Sequence, residues 1–114
     1  MSEIQGIARQ KIHPGKLGEF TRLAAECMRS AREKDTGTLQ YDFYFNADET
    51  ECIVYERYRD SAALLEHTQN LGDLMGKVMA ICTTTGEVLG EPSPELAKGL
   101  ADYGVPVYTP YLKL

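Results

Sequence analysis

His67 is the side chain in this 114-residue sequence best suited to moving a proton, because imidazole titrates near neutrality and serves as a general acid or base. It falls on the apolar stripe of a helical segment, so a structural histidine bonded to backbone or to Glu56 is the competing role. Glu56 lies mid-strand among apolar neighbours, where a carboxylate must be paired or have a shifted pKa. Arg57, Arg9 and His67 are its candidate partners. Tyr41, Tyr44 and Tyr58 offer aromatic walls and phenolic hydrogen bonds, the equipment a flat phenol or quinol needs, although aromatics at strand spacing also serve as plain core. The candidate catalytic set is His67, Glu56 and Tyr58. The candidate binding set is Tyr41, Tyr44, Val54 and Leu71. His13, before Pro14-Gly15, reads as a turn residue.

Other chemistries lack their signatures. The glycines are dispersed, with no GxGxxG and no phosphate-binding loop. Two histidines far apart give weak support to a metal site. The expectation is therefore no cofactor and no metal. Cys27, Cys52 and Cys82 are an odd number without CxxC spacing, which suits buried thiols better than a disulfide framework. The net charge is -5 and the basic residues form no stripe, which argues against nucleic acid. No apolar run approaches the roughly 18 residues of a membrane span, and the start lacks a signal-peptide layout. A cytoplasmic protein is expected.

These residues must be positioned by a single domain whose apolar share of 43% is ordinary for a globular chain. Residues 4–12 alternate as a strand, closed by His13-Pro14-Gly15. Leu17, Phe20, Leu23/Ala24, Cys27/Met28 and Ala31 then recur at helical steps to about Lys34. Asp35-Thr36-Gly37 stops that helix with a glycine suited to a left-handed cap. Residues 38–46 and 52–58 alternate as a hairpin. Asp60 or Ser61 caps a second helical region through Val78, which Gly72 and Gly76 weaken and can split. A strand over 83–89, a short helix over 95–103 and an extended tail over 105–114 complete the chain.

The order βαββαβ predicts an α+β, ferredoxin-like fold: a four-stranded antiparallel sheet with both helices on one face. Residues 1–90 form this domain, and 91–114 a helix and tail attached to it. The other face, expected to hold Phe43 or Tyr44 with Val54 and Tyr58, is too apolar to leave in water, so sheet-to-sheet pairing in a homodimer follows. A fold of this size also has a thin core that a partner would supplement.

Four strings carry a resemblance: Pro14-Gly15-Lys16 before a helix with Phe20; Gly37-Thr38-Leu39-Gln40-Tyr41-Asp42; Val54-Tyr55-Glu56-Arg57-Tyr58-Arg59-Asp60; and Ala62-Ala63-Leu64-Leu65-Glu66-His67. Over residues 4–90 the chain resembles the antibiotic biosynthesis monooxygenase (ABM) domain. That resemblance implies a dimeric α+β barrel with a pocket between sheet and helices. It also implies a cofactor-independent monooxygenase that brings dioxygen to a small phenolic, quinol or polyketide-like aromatic. A non-catalytic small-molecule-binding or stress-response protein on the same scaffold is the alternative, and an isomerase or decarboxylase a third reading. Haem-degrading relatives use an axial histidine beyond this helix, with a pocket asparagine and tryptophan. This chain has no histidine after 67 and no tryptophan, and carries Ala8 and Tyr58 near the other positions, which disfavours haem.

Overall fold

The computed structural model describes residues 2–114. Its elements run β1 (Ile4–Ile12), α1 (Leu17–Lys34), β2 (Thr38–Phe45), β3 (Glu51–Tyr58), α2 (Ser61–Leu71), α3 (Asp73–Ala80), β4 (Cys82–Leu89), α4 (Pro94–Asp102) and β5 (Val107–Tyr108). The strands form one sheet in the order β2-β3-β1-β4-β5. The first four are antiparallel, as the ferredoxin-like reading expects. The sheet nevertheless has five strands and is mixed, because Val107 and Tyr108 of the tail pair in parallel with Val88 and Leu89. A two-residue strand has no alternation to detect, so only the tertiary fold reveals it.

The registers define two faces. Ile4, Gly6 and Ala8 lie opposite Tyr58, Glu56 and Val54, and all point toward the helices. Phe20, Leu23, Cys52, Val54, Ile81 and Cys82 make one buried cluster beneath α1 and α3. Ile4, Tyr58, Ala63, Val88 and Leu96 make a second beneath α2 and α4. Each fully buried large side chain contributes about 1.5–3 kcal/mol, so these clusters hold the helices to the sheet. Leu96 makes α4 part of that core.

The uncovered face matches the expectation at Tyr44 but not at Val54 and Tyr58. Phe43, Val54 and Tyr58 belong to the helix side. Tyr44 and Ile53 are paired on the open side, where they are 55% and 37% exposed. Around them lie ion pairs: Arg9 Nη1 to Glu87 Oε1 at 2.8 Å, and Arg57 Nη2 to Glu3 Oε1 at 3.0 Å. A bulge between Thr38 and Gln40 shifts the β2 register and sends the aromatic series Tyr41, Phe43, Phe45 inward.

Two glycine readings resolve differently. Gly72 takes a positive φ of 53° and divides the second helical region into α2 and α3, whereas Gly76 sits uneventfully inside α3. Gly37 is no left-handed cap, because its φ is not among the positive values. A Cβ there would stand 2.6 Å from Ala63 Cβ, so close packing of α2 is what excludes a side chain.

Candidate functional site

Asp35 follows the last turn of α1, where the helix dipole favours cations and disfavours a carboxylate. Three donors offset that penalty. His67 Nδ1 lies 2.6 Å from Asp35 Oδ2, Thr38 Oγ1 donates to the same oxygen at 2.7 Å, and Asn70 Nδ2 donates to Oδ1 at 2.9 Å. The side chains of His67 and Asp35 are only 4% and 2% exposed. Burial pushes the Asp35 carboxyl up, but the hydrogen bonds from Asn70, Thr38 and His67 together outweigh it and hold it below the ordinary carboxylate range. An ionised Asp35 fixes Nδ1 of His67 as the donor, which leaves Nε2 as the nitrogen able to take a proton. Nε2 has no hydrogen-bond partner among the described residues, where no fully buried side-chain nitrogen or oxygen is left without one.

Two elements bring this pair together. Asp60 caps α2, accepting from Ala63 N at 2.9 Å, and Ala63, His67 and Leu71 then recur along the buried stripe. Ser30 of α1 ties the end of α2 down by donating to the Asn70 carbonyl at 3.1 Å.

Glu56 faces the helices from the middle of β3, between Tyr41 on β2 and Gly6 on β1. A Cβ at position 6 would meet Glu56 at 3.8–3.9 Å, ordinary van der Waals contact, so Gly6 lies directly against the carboxylate side chain. The Tyr58 hydroxyl donates to Glu56 Oε1. Burial raises the Glu56 carboxyl, while Tyr58 and the nearby His67 partly oppose the shift. Of the three candidate partners Arg57, Arg9 and His67, only His67 lies on the same side of the sheet as Glu56. Both arginines instead pair with other acids on the open face.

The rings of Tyr41 and Tyr58 enclose His67, with centroids at 4.6 and 5.4 Å. Burial raises both phenols, and Glu56 adds to the rise at Tyr58. Tyr41 also lines an open pocket of about 290 Å³ with Met28, Ala31 and Arg32 of α1, Asp35, and Thr38, Leu39 and Gln40 of β2. Of the candidate residues, His67, Glu56, Tyr58 and Tyr41 are thus gathered around one point, but only Tyr41 lines the pocket. Tyr44 lies on the opposite face with its hydroxyl 3.4 Å from Asp42. Val54 and Leu71 are buried away from the pocket. Asp35 is not legible as a site residue in the sequence, because its string reads as a helix stop. An acid at a helix end that favours cations was the available signal.

A larger groove of about 480 Å³, lined by Asp60, Ser61, Leu65 and Glu91 among others, contains none of these candidates. Among the described residues no group of three or more His, Cys, Asp or Glu side chains is arranged to hold a metal ion. All three cysteines are buried and free, and no described helix is long and apolar enough to cross a membrane.

The family model for antibiotic biosynthesis monooxygenase matches residues 6–72, the segment that contains Asp35, Tyr41, Glu56, Tyr58 and His67. The chain belongs to the ABM family. Solved structures repeat its fold. MupZ from Pseudomonas fluorescens is 24% identical with a TM-score of 0.84, over 100% of this chain and 94% of that one. The Rv0793 protein of Mycobacterium tuberculosis is 28% identical with a TM-score of 0.70, over 81% and 97%. A variant of SnoaB, a cofactor-independent oxygenase from Streptomyces nogalater, is 14% identical with a TM-score of 0.70, over 82% and 96%. No curated protein matches the sequence. The likeness to MupZ runs through α4 and the tail, beyond the part of this ABM chain that the family model covers.

Proposed function

We propose that this ABM protein is a cofactor-independent monooxygenase acting on a small phenolic, quinol or polyketide-like aromatic, as a cytoplasmic homodimer. One observation carries the reading: Tyr41 and Asp35 both line the pocket and both contact His67. A flat substrate lies against Tyr41. His67 Nε2, the ring nitrogen left without a partner behind the Tyr41 ring, takes up the substrate's hydroxyl proton, and Asp35 stabilises the resulting imidazolium from Nδ1. The electron-rich phenolate then reduces dioxygen itself. A carbon–oxygen bond forms at a ring CH, and loss of water from the hydroperoxide leaves a carbonyl, the substrate supplying every electron. Such chemistry needs from the protein only a base, a flat wall and a place for oxygen. Glu56 and Tyr58 hold the far side of the imidazole.

The experiment is oxygen uptake with a panel of hydroquinones and anthrones. Turnover is expected in the intact protein, and His67→Ala is expected to lower it at least about a hundredfold, the usual contribution of a positioned acid–base group. No uptake with any of the panel, or unchanged turnover in the variant, defeats the reading. The near-complete burial of His67 and Tyr58, at 3% and 0% exposed, favours the second reading, a non-catalytic binder of small aromatics. That reading predicts saturable binding with no oxygen consumed.

A further inference from the structure

The polar groups of the pocket are nearly all committed to one another. Asp35 accepts from His67, Thr38 and Asn70, which also occupies the Thr38 hydroxyl. Gln40 donates to Asp42 and accepts from Arg57. The Tyr41 hydroxyl has the Cys27 thiol beside it, a weak partner. Arg32 is the exception. It is exposed in the last turn of α1, lines the pocket, and among the described residues has no carboxylate within salt-bridge distance. Arg9, Arg22, Arg57 and Arg59 each have such a partner, in a chain where acidic residues outnumber basic ones, 17 to 12; Arg29 also lacks one but lies outside the pocket lining.

The geometry points to Arg32 as an anion subsite, and to a hydroxylated aromatic carrying a carboxylate as the ligand of this pocket. The inference rests on the pocket being the substrate site. The ring lies between Met28, Leu39 and Tyr41, the pocket being at the small end of the roughly 300–1,000 Å³ common for small-molecule sites. The guanidinium fork of Arg32 then takes the carboxylate in two parallel hydrogen bonds at the α1 edge. A singly charged group fits better than a phosphate dianion, because among the described residues Arg32 is the only cation in the lining and Asp35 brings a negative charge to the same wall.

The test is calorimetric titration without oxygen, using 2,5-dihydroxybenzoate and its methyl ester. The intact protein is expected to bind the acid roughly five- to tenfold more tightly than the ester, with the ratio shrinking as salt is raised. Arg32→Gln should bring the ratio near one, and Arg32→Lys should restore part of it, with thermal unfolding confirming that both variants fold. A ratio near one in the intact protein, a preference that survives Arg32→Gln, or no binding of either compound at millimolar concentration overturns the subsite. Oxygen uptake with the same pair separates the two ideas. Binding preference with no uptake from this pair or from any of the hydroquinones and anthrones sinks the monooxygenase reading and leaves the subsite; uptake without preference does the reverse.

Discussion

At the scale of single residues, the site places two carboxylates either side of one imidazole and shifts them in opposite directions. Asp35 is held below its ordinary value of 3.8, so its ionised form contributes stability that is present above that value and lost as pH falls through the lower folded one. Asp35→Asn is accordingly expected to cost about 1–3 kcal/mol at pH 7 and progressively less below about pH 4, read from thermal midpoints across that range. Glu56 is raised above its ordinary 4.5, so its contribution is complete below that value and lost as pH rises through the folded one. Glu56→Gln can still accept from Tyr58, and should raise the midpoint at pH 7 by roughly 2–5 °C while giving no gain at pH 4. Opposite signs at neutral pH are the diagnostic outcome. Equal losses in both variants would contradict this account of the pair.

At the scale of elements, the site depends on how closely α2 approaches the start of β2. Gly37 is where that approach is tightest: the Arg59 amide donates to its carbonyl at 2.9 Å, and Ala63 leaves no space for a Cβ. Gly37→Ala is expected to push α2 outward at a cost of about 1–3 kcal/mol. Because α2 also carries His67, oxygen uptake should fall further in this variant than a loss of folded protein explains; unaltered stability in chemical denaturation would refute the packing argument. Element positions were largely legible beforehand. Hydrophobic period, Pro14-Gly15, the Asp60 cap and Gly72 mark most boundaries, because each acts within a few residues of itself. The cause at Gly37 was not legible, since its obstacle lies in another element and not in its own φ.

At the scale of the whole molecule, the argument for a dimer changes its footing. The open face offers the expected Tyr44, but with Ile53 in place of Val54 and Tyr58, amid the Arg9–Glu87 and Arg57–Glu3 pairs. An interface of apolar centre and charged surround is the usual anatomy of a stable contact, so pairing through this face remains the expectation. Ile53→Arg should halve the mass measured by light scattering after size-exclusion chromatography. A dimer that persists unchanged would place the contact elsewhere, with the exposed tail residues Tyr111, Leu112 and Leu114 as the next surface to alter.

Composition, periodicity and the turn residues determined by themselves that this chain is an α+β domain of βαββαβ order, with His67 on a buried stripe and Glu56 mid-strand. These are consequences of local spacing, and local spacing is what a sequence records directly. Tertiary structure alone decided which strand face meets the helices, because both faces of β2 and β3 carry tyrosines and a single bulge sets which set turns inward. It alone joined Asp35 to His67 across two elements, and placed Tyr44 on the face opposite Tyr41 and Tyr58. It alone left Arg32 without a partner beside a pocket whose other polar groups are nearly all hydrogen-bonded. Partnership is a property of distance in space, which spacing along the chain does not encode.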